Sequence, residues 1–208
     1  MIRPFTNDAD SVKDAFRQLN SLETEKKLFS IIEEYTEPIQ ISGLLNTLLD
    51  KHVKKFNNIS IRQAILEVRK TLSKDYIMPS IDDVILAIIK LPDDILFELG
   101  KFEVCFFPEV IETRIKSMNN KKQYTRGYQS GSRVILAPVP ANEKFDYVET
   151  MLHELGHLYS HKTGGKSTLK KMFDNYLYSN QSLQKLIIYR EDLEEAFAIW
   201  FTSYFSGK

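Results

Sequence analysis

The sequence predicts an α+β fold, mostly helical, with a small mixed sheet whose edge strand flanks one buried helix. Three observations point there. Residues 1–90 carry apolar positions at helical spacing almost throughout. After Leu91 the texture changes to short runs rich in β-branched and aromatic residues, FEVCFF at 102–107 and RVILA at 133–137. From Lys144 onward the pattern is helical again, broken at Thr163-Gly164-Gly165. The boundary expected from this change lies near residue 90. It separates a helical N-terminal region, 1–90, from an α+β region, 91–208, that carries the chemistry.

Each element has its own signals. Asp8 or Asp10 can cap a segment with apolar Val12, Ala15, Phe16 and Leu19. Ser21 opens a second helix carrying Leu22, Leu28, Phe29, Ile31 and Ile32. It ends before Pro38, because the residue before a proline avoids the helical region. Ser60 is expected to cap a helix over IRQAILEVRKTL. Ser80 caps IDDVILAIIK, with Asp82 and Asp83 in the first turn, where the helix dipole favours them. LPDDILFELG reads as a short helix opened by Pro92 and closed by Gly100. FEVCFF reads as a strand. Residues 123–138 read as two strands joined by a turn at Ser130-Gly131, with RVILA either in the sheet interior or at a half-buried edge.

Composition excludes several function classes. The chain has 208 residues, enough to bury a sizeable core. Lys+Arg and Asp+Glu are both 28, so neither nucleic acid nor an anionic membrane is an expected partner. The basic cluster Lys116 to Arg126 reads as a solvated loop. No apolar run approaches the ~18 residues that a membrane span needs. The single cysteine, Cys105, permits no intramolecular disulfide and reads as a small buried residue. The N-terminal residues have no apolar signal-peptide core, so the expectation is a cytoplasmic monomer, with a secreted or exported effector as the alternative.

The chemistry concentrates in TMLHELGHLYSHKTGGK, residues 150–166. His153 and His157 are four apart and share one helix face. Two imidazoles so placed can meet one Zn2+ at the ~2.0–2.1 Å that zinc–nitrogen bonds require. Glu154 is rotated away from the first ligand and is placed to take a proton from water. Three of the four histidines in the chain fall within residues 153–161. Gly156 weakens a buried helix, so a neighbouring element is expected to approach it closely.

One catalytic Zn2+ needs a third protein ligand. Position 160 is Ser and 163 is Thr, which excludes a third histidine in the extended HExxH pattern. His161 would lie ~12 Å along the axis from His153, too far for one tetrahedral ion. It reads instead as a histidine in the helix's last turn, favoured by the dipole. The remaining source is the acidic start of REDLEEAFAIWF. Glu195 flanks the apolar face and is the expected ligand. Glu191, one turn earlier, is expected to orient a ligand histidine, with the swapped assignment open. SHKTGGKST is not a phosphate loop: it follows a helix and has Ser160 where the first glycine belongs. It reads as a helix stop followed by a Ser167 cap.

LPDDILFELGKFEVCFF, RGYQSGSRVILAP, TMLHELGHLYSH and EEAFAIWF together resemble the peptidase domain shared by anthrax toxin lethal factor and the clostridial Pro-Pro endopeptidases, over roughly residues 85–205. That resemblance implies a zincin-like fold of the gluzincin type, toxin-related, with Glu195 of Glu195-Ala196-Phe197-Ala198 as third ligand. It implies a zinc endopeptidase whose peptide or protein substrate binds as an added strand along Val134 to Leu136. Gly127-Tyr128 matches the family's Gly-aromatic segment. Tyr128 is a candidate for lining a substrate subsite, or else a packing aromatic beside the turn. The family's oxyanion tyrosine aligns with Ile188, and Tyr189 fills the role when the connecting loop is one residue shorter. Two other readings stand beside this one. A regulatory metallopeptidase of the phage-immunity or stress-sensor type would have Asn where Glu195 stands. A non-catalytic zinc-binding module would not need Glu154.

Overall fold

The computed structural model describes residues 22–39, 53–64, 76–108, 110–115, 121–141, 145–164, 167–180, 184 and 190–207. The segment 8–19, expected to be helical, lies outside them. Helix α1 spans Leu22–Tyr35 and runs directly into strand β1, Thr36–Ile39. A 3-10 turn at Val53–Phe56 precedes β2, Ile59–Ala64. Then come β3 (Tyr76–Ile77), α2 (Ile81–Lys90), α3 (Asp93–Leu99), β4 (Phe102–Phe106), β5 (Ile111–Ile115) and β6 (Lys121–Thr125). The chain continues through β7 (Gly127–Ser130), β8 (Arg133–Leu136), β9 (Val139–Pro140), α4 (Tyr147–Thr163), α5 (Thr168–Ser179) and α6 (Arg190–Ser206). An α+β architecture is therefore present.

One five-stranded mixed sheet organises the rest, in the order β1-β2-β4-β8-β7. β2 and β8 run parallel to β4, while the outer strands β1 and β7 are antiparallel to their neighbours. The central strand FEVCF is apolar nearly throughout because both its faces are covered. Phe102, Val104 and Phe106 join Ile61, Val134 and Leu136 in the main core, under α2, α3, α4 and α6. Cys105 turns the other way, with Ile135, Tyr128 and Phe107, against Ile32 and Phe29 of α1. The sheet thus lies between α1 on one face and the remaining helices on the other. The two short pairs, β3–β9 and β5–β6, lie outside it.

Several expectations hold at the level of single residues. Ser80 caps α2 in a reciprocal capping box. Its Oγ accepts from Asp83 N at 3.2 Å, and Asp83 Oδ2 accepts from Ser80 N at 2.8 Å. Gly100 closes α3 with φ 59°, Gly164 closes α4 with φ 56°, and Ser167 Oγ accepts from Lys170 N to cap α5.

Four expectations are corrected. Ile59–Ala64 is a strand, not the start of a helix. Ile59 and Ile61 point inward, Ser60 points out, and β1 and β4 pair with it on either side. In ISIRQA the period-two pattern of β-branched residues prevails because two partner strands satisfy its backbone. The line drawn at residue 90 consequently cuts through one sheet, since β1 and β2 belong to it. Lys121 and Lys122, expected within a solvated loop, extend the expected strand that begins at Gln123, and Lys121–Thr125 pairs with β5. RVILA occupies the sheet interior, and the edge beside α4 is β7. Val134 and Leu136 therefore have no free backbone edge to offer a peptide, and both side chains are buried in the main core.

Helix α4 is held at both ends. Asp146 Oδ1 caps it, accepting from Val148 N at 2.8 Å. The Tyr147 hydroxyl lies 2.6 Å from the Ala137 carbonyl, just past β8, and 3.1 Å from that of Ile77 in β3. At the far end Lys162 Nζ donates to the carbonyls of Leu99 and Lys101 at 2.5 and 2.6 Å, and the Tyr159 hydroxyl donates to Glu98. Among the described residues no helix is long and apolar enough to cross a membrane.

Candidate metal centre

His153 and His157 project from the same buried face of α4, 2% and 5% exposed. Their Nε2 atoms are 3.2 Å apart. Glu195 enters from the first half of α6, with Oε1 3.3 Å from His153 Nε2 and Oε2 3.4 Å from His157 Nε2. Two ligands at ~2.0–2.1 Å from a tetrahedral zinc subtend ~109° and so lie ~3.3–3.4 Å from each other. The three observed contacts, 3.2–3.4 Å, lie close to that value, with one carboxylate oxygen of Glu195 turned to each histidine. Oε2 of Glu195 is buried and makes no hydrogen bond, although His157 is within contact distance. A cation held between the three donors would supply that partner. His153, His157 and Glu195 can hold a metal ion, and among the described residues no other such group occurs.

Electrostatics agree with this role. Burial is the largest influence on His157 and holds its pKa below the ordinary value of 6.5, keeping the imidazole in the neutral, ligating form. For Glu195, burial alone would raise the pKa. The charge of the adjacent His153 and its hydrogen bond to the carboxyl, with His157 beside them, outweigh it, and the carboxyl is held well below the usual range. It is therefore a carboxylate at neutral pH.

The two helices bring these groups together through a pair of small residues. A Cβ on Gly156 would lie 2.9 Å from Ala198 Cα and 3.2 Å from Phe201 Cβ. Gly156 thus allows α6 to lie almost against the α4 backbone, the close approach anticipated from its presence in a buried helix. Ala198 lies one turn after Glu195, and this contact sets the distance between Glu195 and the histidines. Around it Phe197 packs edge-on to Phe173 at 5.3 Å and stacks on Tyr159 at 6.3 Å.

Glu154 is on the same helix, 1% exposed, and its charge is felt at His157. Its side chain lies against Gly127, the first residue of the edge strand. A Cβ there would be 2.7 Å from Glu154 Oε1 and 2.8 Å from both Glu154 Cγ and Thr150 Cγ2. The motif spacing does not announce this contact, although an isolated glycine at the start of a strand pattern is a signal for close backbone approach.

The other expected site residues fall as follows. Tyr128 points to the opposite face of the sheet from α4, in register with Ile135, and packs beside Cys105, Phe107 and Ile111. It is a core aromatic and does not line the metal centre, because alternation along β7 sends Gly127 and Gln129 toward α4 and Tyr128 away. Glu191 lies in α6 one turn before Glu195, and its side chain is outside the described residues, as is all of Tyr189. His161 is at the exposed end of α4, its Nε2 3.8 Å from Glu194 Oε2, and takes no part in the cluster. Compared with protein-family models, with curated proteins and with solved structures, the chain finds no match in any of the three.

Proposed function

We propose that this chain is a zinc-dependent endopeptidase of the gluzincin type, resembling the lethal factor and Pro-Pro endopeptidase group. The observation that carries the reading is the buried convergence of His153, His157 and Glu195, with contacts of 3.2–3.4 Å between them and a further carboxylate, Glu154, directly after the first histidine. Two imidazoles and one carboxylate form a donor set that zinc favours, and three protein ligands leave a position for water or substrate. Zinc held by His153, His157 and Glu195 would supply a Lewis acid able to polarise a carbonyl and to lower the pKa of water toward ~7. Glu154 accepts the proton of the attacking water and hands it to the leaving amine.

The substrate surface in this reading is β7. Among the described residues it pairs only with β8, so its outer edge can accept an extended peptide as an added strand. The glycine that begins it keeps the peptide path close to Glu154. Tyr189 keeps the role of oxyanion donor as an expectation carried by the resemblance.

The test is metal analysis of the protein as isolated, with cleavage of a peptide library, repeated on Glu154→Gln. One zinc per chain and peptide cleavage are expected. Glu154→Gln should retain the zinc and lose about 10²–10⁴-fold in rate. Zinc bound with no peptide cleaved by the parent protein would favour an interaction module and overturn the peptidase reading.

A further inference from the structure

Gly127 is not a turn glycine. Among the described residues the positive-φ glycines are Gly100, Gly131, Gly164 and Gly207, and the hairpin between β7 and β8 turns at Gly131. Gly127 sits in ordinary strand conformation, where glycine weakens a strand and a side chain is normally favoured. What it provides is space, and Glu154 fills that space.

Three atoms define the fit. Glu154 Oε1 and Cγ would lie 2.7 and 2.8 Å from a Cβ at position 127, and Thr150 Cγ2 would lie 2.8 Å away. Thr150 is held in place, because its hydroxyl donates to the Asp146 carbonyl at 3.0 Å and directs its methyl toward the strand. Any side chain at 127 would therefore have to displace the carboxylate. Both Thr150 and Glu154 are 1% exposed, so little room exists for the movement. None of His153, His157 and Glu195 is among the atoms that a Cβ at 127 meets most closely.

We propose that Gly127 is a positioning residue for the general base: the bare backbone of the edge strand and the Thr150 methyl form the cradle that sets where the Glu154 carboxylate stands. This rests on Glu154 acting as assigned above. It adds a function for the strand beyond offering an edge, since the same backbone that would pair with a peptide also aims the base at it.

The experiment is Gly127→Ala in the full chain, with Thr150→Ser as a milder variant that keeps the hydroxyl and removes the methyl. Gly127→Ala should bind zinc as the parent does. Its kcat on library peptides should fall about 100-fold with KM little changed, because a displacement near 1 Å costs that much. In a Glu154→Gln background the same change should cost nothing further, whereas a merely structural defect would add. The second readout is the visible absorption of the Co(II)-loaded protein. Gly127→Ala and Glu154→Gln should both shift the band, and Thr150→Ser should shift it less. Wild-type turnover by Gly127→Ala, additivity with Glu154→Gln, or a Co(II) spectrum of Gly127→Ala identical to the parent's would overturn the proposal. If Gly127→Ala does not fold, a Thr150→Ser protein with parental kcat and Co(II) spectrum does the same. A parent that cleaves no peptide removes the peptidase reading instead, and the Co(II) spectra alone then decide whether Gly127 places the carboxylate.

Discussion

Replacing Gly156 by alanine tests whether one missing methyl group sets the geometry of the metal centre. The added Cβ would stand 2.9 Å from Ala198 Cα, with Phe201 Cβ at 3.2 Å and Ala198 Cβ at 3.3 Å. Comfortable carbon–carbon contact begins near ~3.5 Å, so α6 has to withdraw by about 0.6 Å. Backbone cannot rotate out of the way as a side-chain tip can. Overpacking of this kind costs ~1–3 kcal/mol. Alanine returns ~1 kcal/mol of helix propensity in the same position. The net loss of stability in the metal-free protein is therefore small, ~0–2 kcal/mol. The effect on the metal is larger in proportion. Glu195 lies three residues before Ala198 on the same helix and moves with it, whereas zinc–ligand distances tolerate only ~0.2 Å. Zinc affinity should fall ~10–100-fold, the scale seen when groups that orient metal ligands are removed. Competition against a chromogenic chelator measures the affinity, and urea unfolding of the metal-free protein measures the stability. Parental zinc affinity in a folded Gly156→Ala protein would refute the idea that helix spacing controls the third ligand.

Two further outcomes follow from the same geometry. Glu195→Gln keeps the shape but removes the charge, and should lose zinc at chelator concentrations where the parent retains it; retention would mean that the acid ligand is another residue. Acidification should destabilise the metal-free protein. Burial places the folded His157 pKa below 6.5, so the unfolded chain takes up that proton first. Stability then falls as pH drops below about 6.5. Glu195 acts in the same direction at lower pH, because its folded pKa is also depressed. Urea midpoints at pH 7.5 and 5.5 that coincide would contradict this.

The parts of the site legible in the sequence are those whose information is local. His153, Glu154 and His157 share one helix, and their spacing alone defines a face. Glu195 was identifiable because a carboxylate on the flank of an apolar helix face needs a partner, and Gly156 because a buried helix has no other use for it. Strand order is different in kind. β2 and β8 flank β4 although one lies some forty residues before it and the other some thirty after, and nothing local in ISIRQA reports which neighbours it will meet. The same gap hid the true edge strand, so Val134 and Leu136 were assigned a surface they do not have. Tyr128 is a separate case. Alternation between Gly127, Tyr128 and Gln129 already implies that the tyrosine and the glycine face opposite ways, and only the glycine can look toward α4.

Because Ile59–Ala64 lies next to the central strand, the half of the protein bearing the histidines is not self-sufficient. A fragment beginning at Leu91 would leave the row Phe102 to Phe106 with one unprotected flank, an apolar ribbon inviting intermolecular addition. Trimming the early residues as an accessory appendage would therefore remove part of the floor on which the helices bearing His153, His157 and Glu195 rest.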